Sequence, residues 1–88
     1  MEYIIDMTGV TSSEELHRRI REVLPCPEWY GNNLDAFNDL LTEQGAGWHL
    51  TFLHPVEFET ALPLRYATFR RLCDNAQEDV PGLIITFA

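Results

Sequence analysis

Two aspartates four residues apart, Asp35 and Asp39, are the side chains of this sequence whose type and spacing best suit a chemical role. On a helix, residues i and i+4 share a face, with Cβ atoms about 6 Å apart. Such a pair could exchange protons with a substrate or bind the cationic groups of another molecule. A catalytic carboxyl group needs a pKa raised by burial or by a close like charge, and an open helix surface supplies little burial. The spacing therefore favours a binding role, and we expect no enzymatic activity.

No second constellation in the sequence offers a stronger chemistry. There is no glycine-rich phosphate loop, and no serine or cysteine stands in a recognisable nucleophile motif. His49 and His54 lack the cysteine or acidic neighbours that a zinc site needs. Cys26 and Cys73 form neither a disulfide framework nor a metal-ligand pattern, so we expect two reduced thiols, packed in the core or half exposed. The sequence predicts no metal ion and no cofactor.

Residues 26–43 are typical of an aromatic loop that leads directly into a helix. Gly31 permits a tight turn, and Asn33 can cap the helix by accepting a hydrogen bond from a free backbone N–H. At about 100° per residue the helix has two contrasting faces. Its apolar face carries Leu34, Phe37, Leu40 and Leu41, and its polar face carries Asp35, Asn38, Asp39, Thr42 and Glu43. The apolar face is expected to bind the core. The polar face is either a carboxylate-bearing binding surface or an ordinary solvated one.

The charge distribution favours a cationic partner. The chain carries 14 acidic and 6 basic residues, a formal net charge of −8. No Lys or Arg lies between Arg21 and Arg65, whereas acidic residues occur along this stretch. A segment of one sign creates a negative patch that steers a cationic partner, and it argues against direct binding of nucleic acid, whose phosphates need Lys and Arg. The alternative explanation, that the charge serves solubility alone, remains open at this point.

The order of elements along the chain predicts one α/β domain over residues 1–88. Apolar runs predict strands at 3–7, 48–53 and 83–87. Helical spacing and capping signals predict helices that start near Ser12, Asn33, Pro55 and Leu64, the last continuing to Gln77. We therefore expect a three-stranded parallel sheet with buried strands and about four helices packed on it, because the strand candidates are nearly continuous in apolar residues. The sequence shows neither a signal peptide nor a membrane-spanning run, which predicts a cytoplasmic protein that contacts no membrane.

One stretch carries a family resemblance. Residues 30–42, with the sequence YGNNLDAFNDLLT, are similar to the Tyr-Gly-x-Asn-Leu-Asp-Ala-Leu-x-Asp-x-Leu-Thr segment of the barstar family. The order of the surrounding elements also matches, so the resemblance covers the whole chain, strongly in the middle and weakly near the last helix. It implies the barstar fold, and the function of an intracellular inhibitor of a secreted, basic ribonuclease of the barnase type.

The resemblance also implies which residues contact the partner. Asp39 matches the family's central aspartate, which mimics a substrate phosphate, and Asp35 matches a second contacting aspartate. Trp29 stands where barstar has a contacting Tyr, and it and Tyr30 would be flat anchors around the charges. The full predicted contact set is Trp29, Tyr30, Asn33, Asp35, Asn38, Asp39, Thr42, Glu43 and Asn75.

Some peripheral positions depart from the family pattern. Asn38 occupies a position that is Trp in barstar, and Glu43-Gln44 replaces a Gly-Trp pair, with Trp48 nearby at a shifted spacing. Asn75 lies near the position where barstar has a contacting Glu. The central carboxylates are thus kept while their surroundings differ. An acidic interaction module of the same fold, binding another basic protein, therefore stays open as an alternative.

Overall fold

The computed structural model describes residues 1–88 and contains three strands and four helices. In chain order they are β1 (Glu2–Asp6), α1 (Ser13–Val23), α2 (Leu34–Gln44), β2 (His49–Leu53), α3 (Val56–Ala61), α4 (Pro63–Asp79) and β3 (Ile84–Phe87). The predicted α/β class, with a three-stranded parallel sheet and four helices, is confirmed. The last helix is longer than predicted. Its first residue is Pro63, which suits a helix start because backbone N–H groups in the first turn have no helical partner.

The three strands lie in the order in which they occur along the chain, β1-β2-β3, and both pairings are parallel. His49 at the start of β2 pairs with Glu2 on one side and with Ile84 on the other. Two helices connect each pair of neighbouring strands. Such long crossovers are what parallel pairing requires, since a tight turn would reverse the chain.

Only one face of the sheet is covered, so the prediction of buried strands holds for that face and not for the other. Burial alternates along the strands: Ile5 and Phe52 are fully buried, whereas Ile4 and Ile84 are 61% and 47% exposed. Successive side chains of a strand point to opposite faces, and the helices cover one of them. The sequence misled because apolar residues also occupy the open face.

An aromatic cluster joins the helices to the sheet. Phe37 on α2 lies 6.4 Å from Phe52 on β2 and 5.7 Å from Phe69 on α4, measured between ring centroids. Phe52 and Phe69 meet edge to face at 5.1 Å, a favoured geometry for aromatic pairs. These contacts fix α2 against the core by its inner side. None of the four helices combines the length and the apolar character that crossing a bilayer requires.

Candidate functional site

Helix α2 presents the polar face that its sequence predicts. The side chain of Asn33 caps the helix, its Oδ1 accepting the backbone N–H of Ala36 at 2.8 Å. The buried side chains of α2 are Ala36, Phe37, Leu40 and Leu41. The polar side chains all lie exposed on the outer face: Asp35, Asn38, Asp39, Thr42 and Glu43. The loop, the cap and the core contacts therefore hold this face outward.

The two aspartates of α2 are unengaged within the chain. The hydrogen bonds and ion pairs of the structure include neither the Asp35 nor the Asp39 carboxylate. On α1, by contrast, Glu15 pairs with Arg18 and Arg19. The carboxylates of α2 keep all their acceptor positions for a second molecule. Ionised carboxylates prefer guanidinium and ammonium donors, and arginine can bind both oxygens at once.

Trp29 and Tyr30 have different environments although they are adjacent. Trp29 is 47% exposed and lies on the surface before α2. Tyr30 is only 7% exposed, and its hydroxyl oxygen lies 2.6 Å from Nδ1 of His17 on α1. The structure therefore does not display Tyr30 as the surface anchor that the sequence suggests. Instead, its ring packs in the core and ties the loop to α1.

His17 is the buried partner of this contact and is 2% exposed. Burial, together with the nearby charges of Arg21 and Arg65, lowers the pKa of His17 to about 4. Burial also raises the pKa of the Tyr30 hydroxyl. Both groups are therefore neutral near neutral pH, a state in which Nδ1 can accept a hydrogen bond from the Tyr30 hydroxyl. Sequence spacing did contain a signal for this packing, because His17 shares a helical face with Ile20 and Leu24.

A second contact between α1 and the loop runs through Arg21. Its guanidinium donates a hydrogen bond to Oδ1 of Asn32, two residues before the start of α2. Asn32 has a φ of 54°, in the left-handed region, which asparagine tolerates better than most residues. The stretch between Arg21 and Arg65 contains no Lys or Arg, but the guanidinium of Arg21 lies against the loop before α2. Nothing in the local pattern signals this pairing, since its partners lie on different elements.

The more peripheral candidates are dispersed. Glu43 and Gln44 lie exposed at the end of α2, and the Thr42 hydroxyl donates to the backbone oxygen of Asn38 at 2.9 Å. Asn75 lies exposed on α4, a different helix. Trp48 is buried and meets Tyr3 edge to face at 5.4 Å, so it is a core residue here.

The remaining reactive side chains do not assemble into a site. No three His, Cys, Asp or Glu side chains converge in a way that could hold a metal ion. Cys26 is half-buried and Cys73 fully buried, and both are free thiols. Burial raises the pKa of both, that of Cys73 to about 12, so the nucleophilic thiolate is disfavoured.

Fold and surface together describe a small α/β protein in which α2 displays an acidic face, free of partners within the chain, on a packed core. A family model described as Barstar (barnase inhibitor) matches residues 1–87. The chain therefore belongs to the Barstar family. That family is one of inhibitors rather than enzymes, and membership supports a barnase-inhibitor-like role in general.

Proposed function

We propose that this protein inhibits a basic secreted ribonuclease of the barnase type by inserting the outer face of α2 into its active-site cleft. The observation that carries the proposal is the pair of exposed carboxylates, Asp35 and Asp39, that no group of the chain engages. A ribonuclease cleft holds cationic groups that bind phosphate. Carboxylates of α2 can take the place of those phosphates through charge-assisted hydrogen bonds.

Inhibition by this route needs no chemistry on the side of the inhibitor. Occupancy alone excludes RNA from the cleft, and Trp29 adds an aromatic side chain beside the charges, of a type enriched at binding hot spots. The remaining contact residues that we propose are Asn33, Asn38, Thr42, Glu43 and Asn75, all exposed. Tyr30 contributes by holding the loop. We also propose that the protein is cytoplasmic, since the reducing conditions of the cytoplasm keep two free thiols reduced.

The test is a titration of nuclease activity. Purified protein is added to barnase, and to a panel of related guanyl-preferring ribonucleases, while cleavage of RNA is followed. We expect stoichiometric inhibition of at least one enzyme and no cleavage by the protein alone. Absence of inhibition across the whole panel would remove the proposed function and leave the binding of another basic protein as the better explanation.

Two double variants show whether α2 is the inhibitory element. Asp35→Asn with Asp39→Asn removes two charges from α2 and keeps the shape of both side chains. Glu57→Gln with Glu59→Gln removes two charges from α3, where both residues are also exposed. The first pair should abolish most of the inhibition and the second should leave it nearly intact. Equal effects would show that net charge, rather than the α2 surface, determines inhibition.

A further inference from the structure

An apolar groove lies beside the start of α2, at the junction of α3 and α4. It has a volume of about 560 Å³ and is lined by Leu34, Ala61, Leu62, Pro63, Leu64, Arg65 and Thr68. Leu64 is 85% exposed, the most exposed large apolar side chain in the chain. A single exposed leucine would be ordinary, but here it adjoins other apolar residues around a concave surface.

The groove is continuous with the acidic face of α2. Leu34 lines the groove and immediately precedes Asp35. At about 100° per residue, Asn38 follows Leu34 around the helix, and Asp35 and Asp39 come next. A partner that binds the two carboxylates can therefore extend past Asn38 to the groove, because on the surface of α2 Asn38 lies between the carboxylates and Leu34. Asn38 is exposed and its small side chain leaves this path open.

We infer that the groove is the apolar part of the same partner interface, and that it receives an apolar side chain which the ribonuclease carries at the edge of its cationic cleft. This inference rests on the proposed function. Charge supports the choice of occupant. Asp35 attracts the cationic cleft, whereas Arg65, on the groove and in no ion pair, repels cations. The part of the nuclease that faces the groove is therefore expected to carry no cation, and of the remaining side chains an apolar one matches the groove's mainly apolar lining.

Interface kinetics separate this contact from the carboxylates. Leu64→Gln removes apolar surface at an exposed helix position without changing charge, and glutamine is a good helix former. Loss of a short-range apolar contact acts mainly on dissociation. We expect the dissociation rate from the best-inhibited ribonuclease of the panel to rise about tenfold. The association rate and its salt dependence should stay unchanged.

Ile84→Thr is the matched control, because it removes an exposed apolar side chain from the open face of the sheet and keeps a β-branched residue in the strand. Its dissociation rate should equal that of the unmodified protein. If Leu64→Gln also leaves the dissociation rate unchanged while Asp39→Ala weakens binding, the groove lies outside the interface and the inference is overturned. If no enzyme of the panel is inhibited, the proposed function fails first and the inference fails with it.

Discussion

At the scale of single residues, Asp39 is the side chain whose removal should weaken binding of the partner most. It lies in the second turn of α2, exposed, while Leu40 and Leu41 bind that turn to the core. Asp39→Ala would leave several cationic groups of a nuclease without their partner. The expected loss of binding free energy is at least about 2 kcal/mol, on a scale set by measured interfaces that include barnase–barstar itself.

Glu57→Ala on α3 is the control for the loss of one exposed charge, with an expected cost below about 1 kcal/mol. Calorimetric titration against the inhibited nuclease measures both variants. Folding of Asp39→Ala should be almost unaffected, because the carboxylate touches no other group of the chain. If both variants lost the same affinity, α2 would not be the binding element.

The His17 imidazole makes stability depend on pH. In the unfolded chain its pKa is near 6.5, and in the folded protein it is about 4. Well above pH 6.5 the imidazole of His17 is neutral in both the folded and the unfolded state, and stability does not depend on this group. Between pH 6.5 and 4 the His17 imidazole binds a proton in the unfolded state but not in the folded state, so the free energy of unfolding falls. The loss should approach about 3 kcal/mol at pH 4 and then level off.

Urea unfolding at a series of pH values measures this slope, with His17→Gln as the matched variant. Glutamine cannot charge but can still hydrogen-bond the Tyr30 hydroxyl. The variant should show a flatter stability profile over this range. Profiles that run parallel from pH 7 to 4 would assign the pH dependence to carboxylates instead, such as Asp6 and Glu15, whose hydrogen bonds lower their pKa values.

Residues of α2 were predictable from sequence, whereas the contacts that support the preceding loop were not. The cap at Asn33 and the outward carboxylates follow from local spacing and side-chain type. The burial of Tyr30 and the reach of Arg21 to Asn32 depend on how α1 lies against the loop. A local pattern cannot contain such information, because each contact joins residues more than ten positions apart. For this reason the sequence predicts an exposed Tyr30 beside the charged helix, whereas its ring is buried.

At the scale of elements, the two capped helices allow a clean comparison. Oδ1 of Asn33 accepts an N–H at the start of α2, and Oγ of Ser12 does the same for Glu15 at the start of α1. Replacing either by Ala should lower the free energy of unfolding by about 1 kcal/mol. Only Asn33→Ala should also weaken binding, since Asn33 caps the helix that carries the proposed interface and is itself one of the proposed contact residues.

Urea unfolding and nuclease inhibition are measured on both cap variants. Ser12→Ala controls for the general effect of an uncapped helix at similar stability. A binding loss of equal size in both would mean that affinity simply follows global stability. No binding loss in either would mean that the loop contacts of Arg21 and Tyr30 already hold the start of α2 and that Asn33 does not contact the partner.

At the scale of the whole molecule, the formal net charge of −8 should govern how fast the complex forms. Long-range attraction between an acidic protein and a basic one accelerates encounter, and salt screens it over roughly 8–10 Å. We expect the association rate to fall steeply as salt is raised, with a much smaller change in the dissociation rate. Stopped-flow mixing can follow this through the fluorescence of the exposed Trp29. A rate that is flat in salt would exclude electrostatic steering.

The fold class was predictable from the sequence because three apolar runs alternate with helical patterns. The exposure of the sheet was not, because Ile4 and Ile84 face solvent, an arrangement that composition does not reveal. Burial on both faces and burial on one face leave similar apolar runs in strands this short.

The pairing of β2 with both other strands also constrains the order of folding. His49 must meet Glu2 from the start of the chain and Ile84 from near its end, and neither contact can form through a hairpin. Closing such long loops costs conformational entropy before any strand pairing offsets it, which makes folding slow and cooperative. A nascent chain that stops before His49 has no central strand, and Phe37 then has no Phe52 to pack against. The carboxylates of α2 are therefore set in place only after most of the polypeptide has been synthesised.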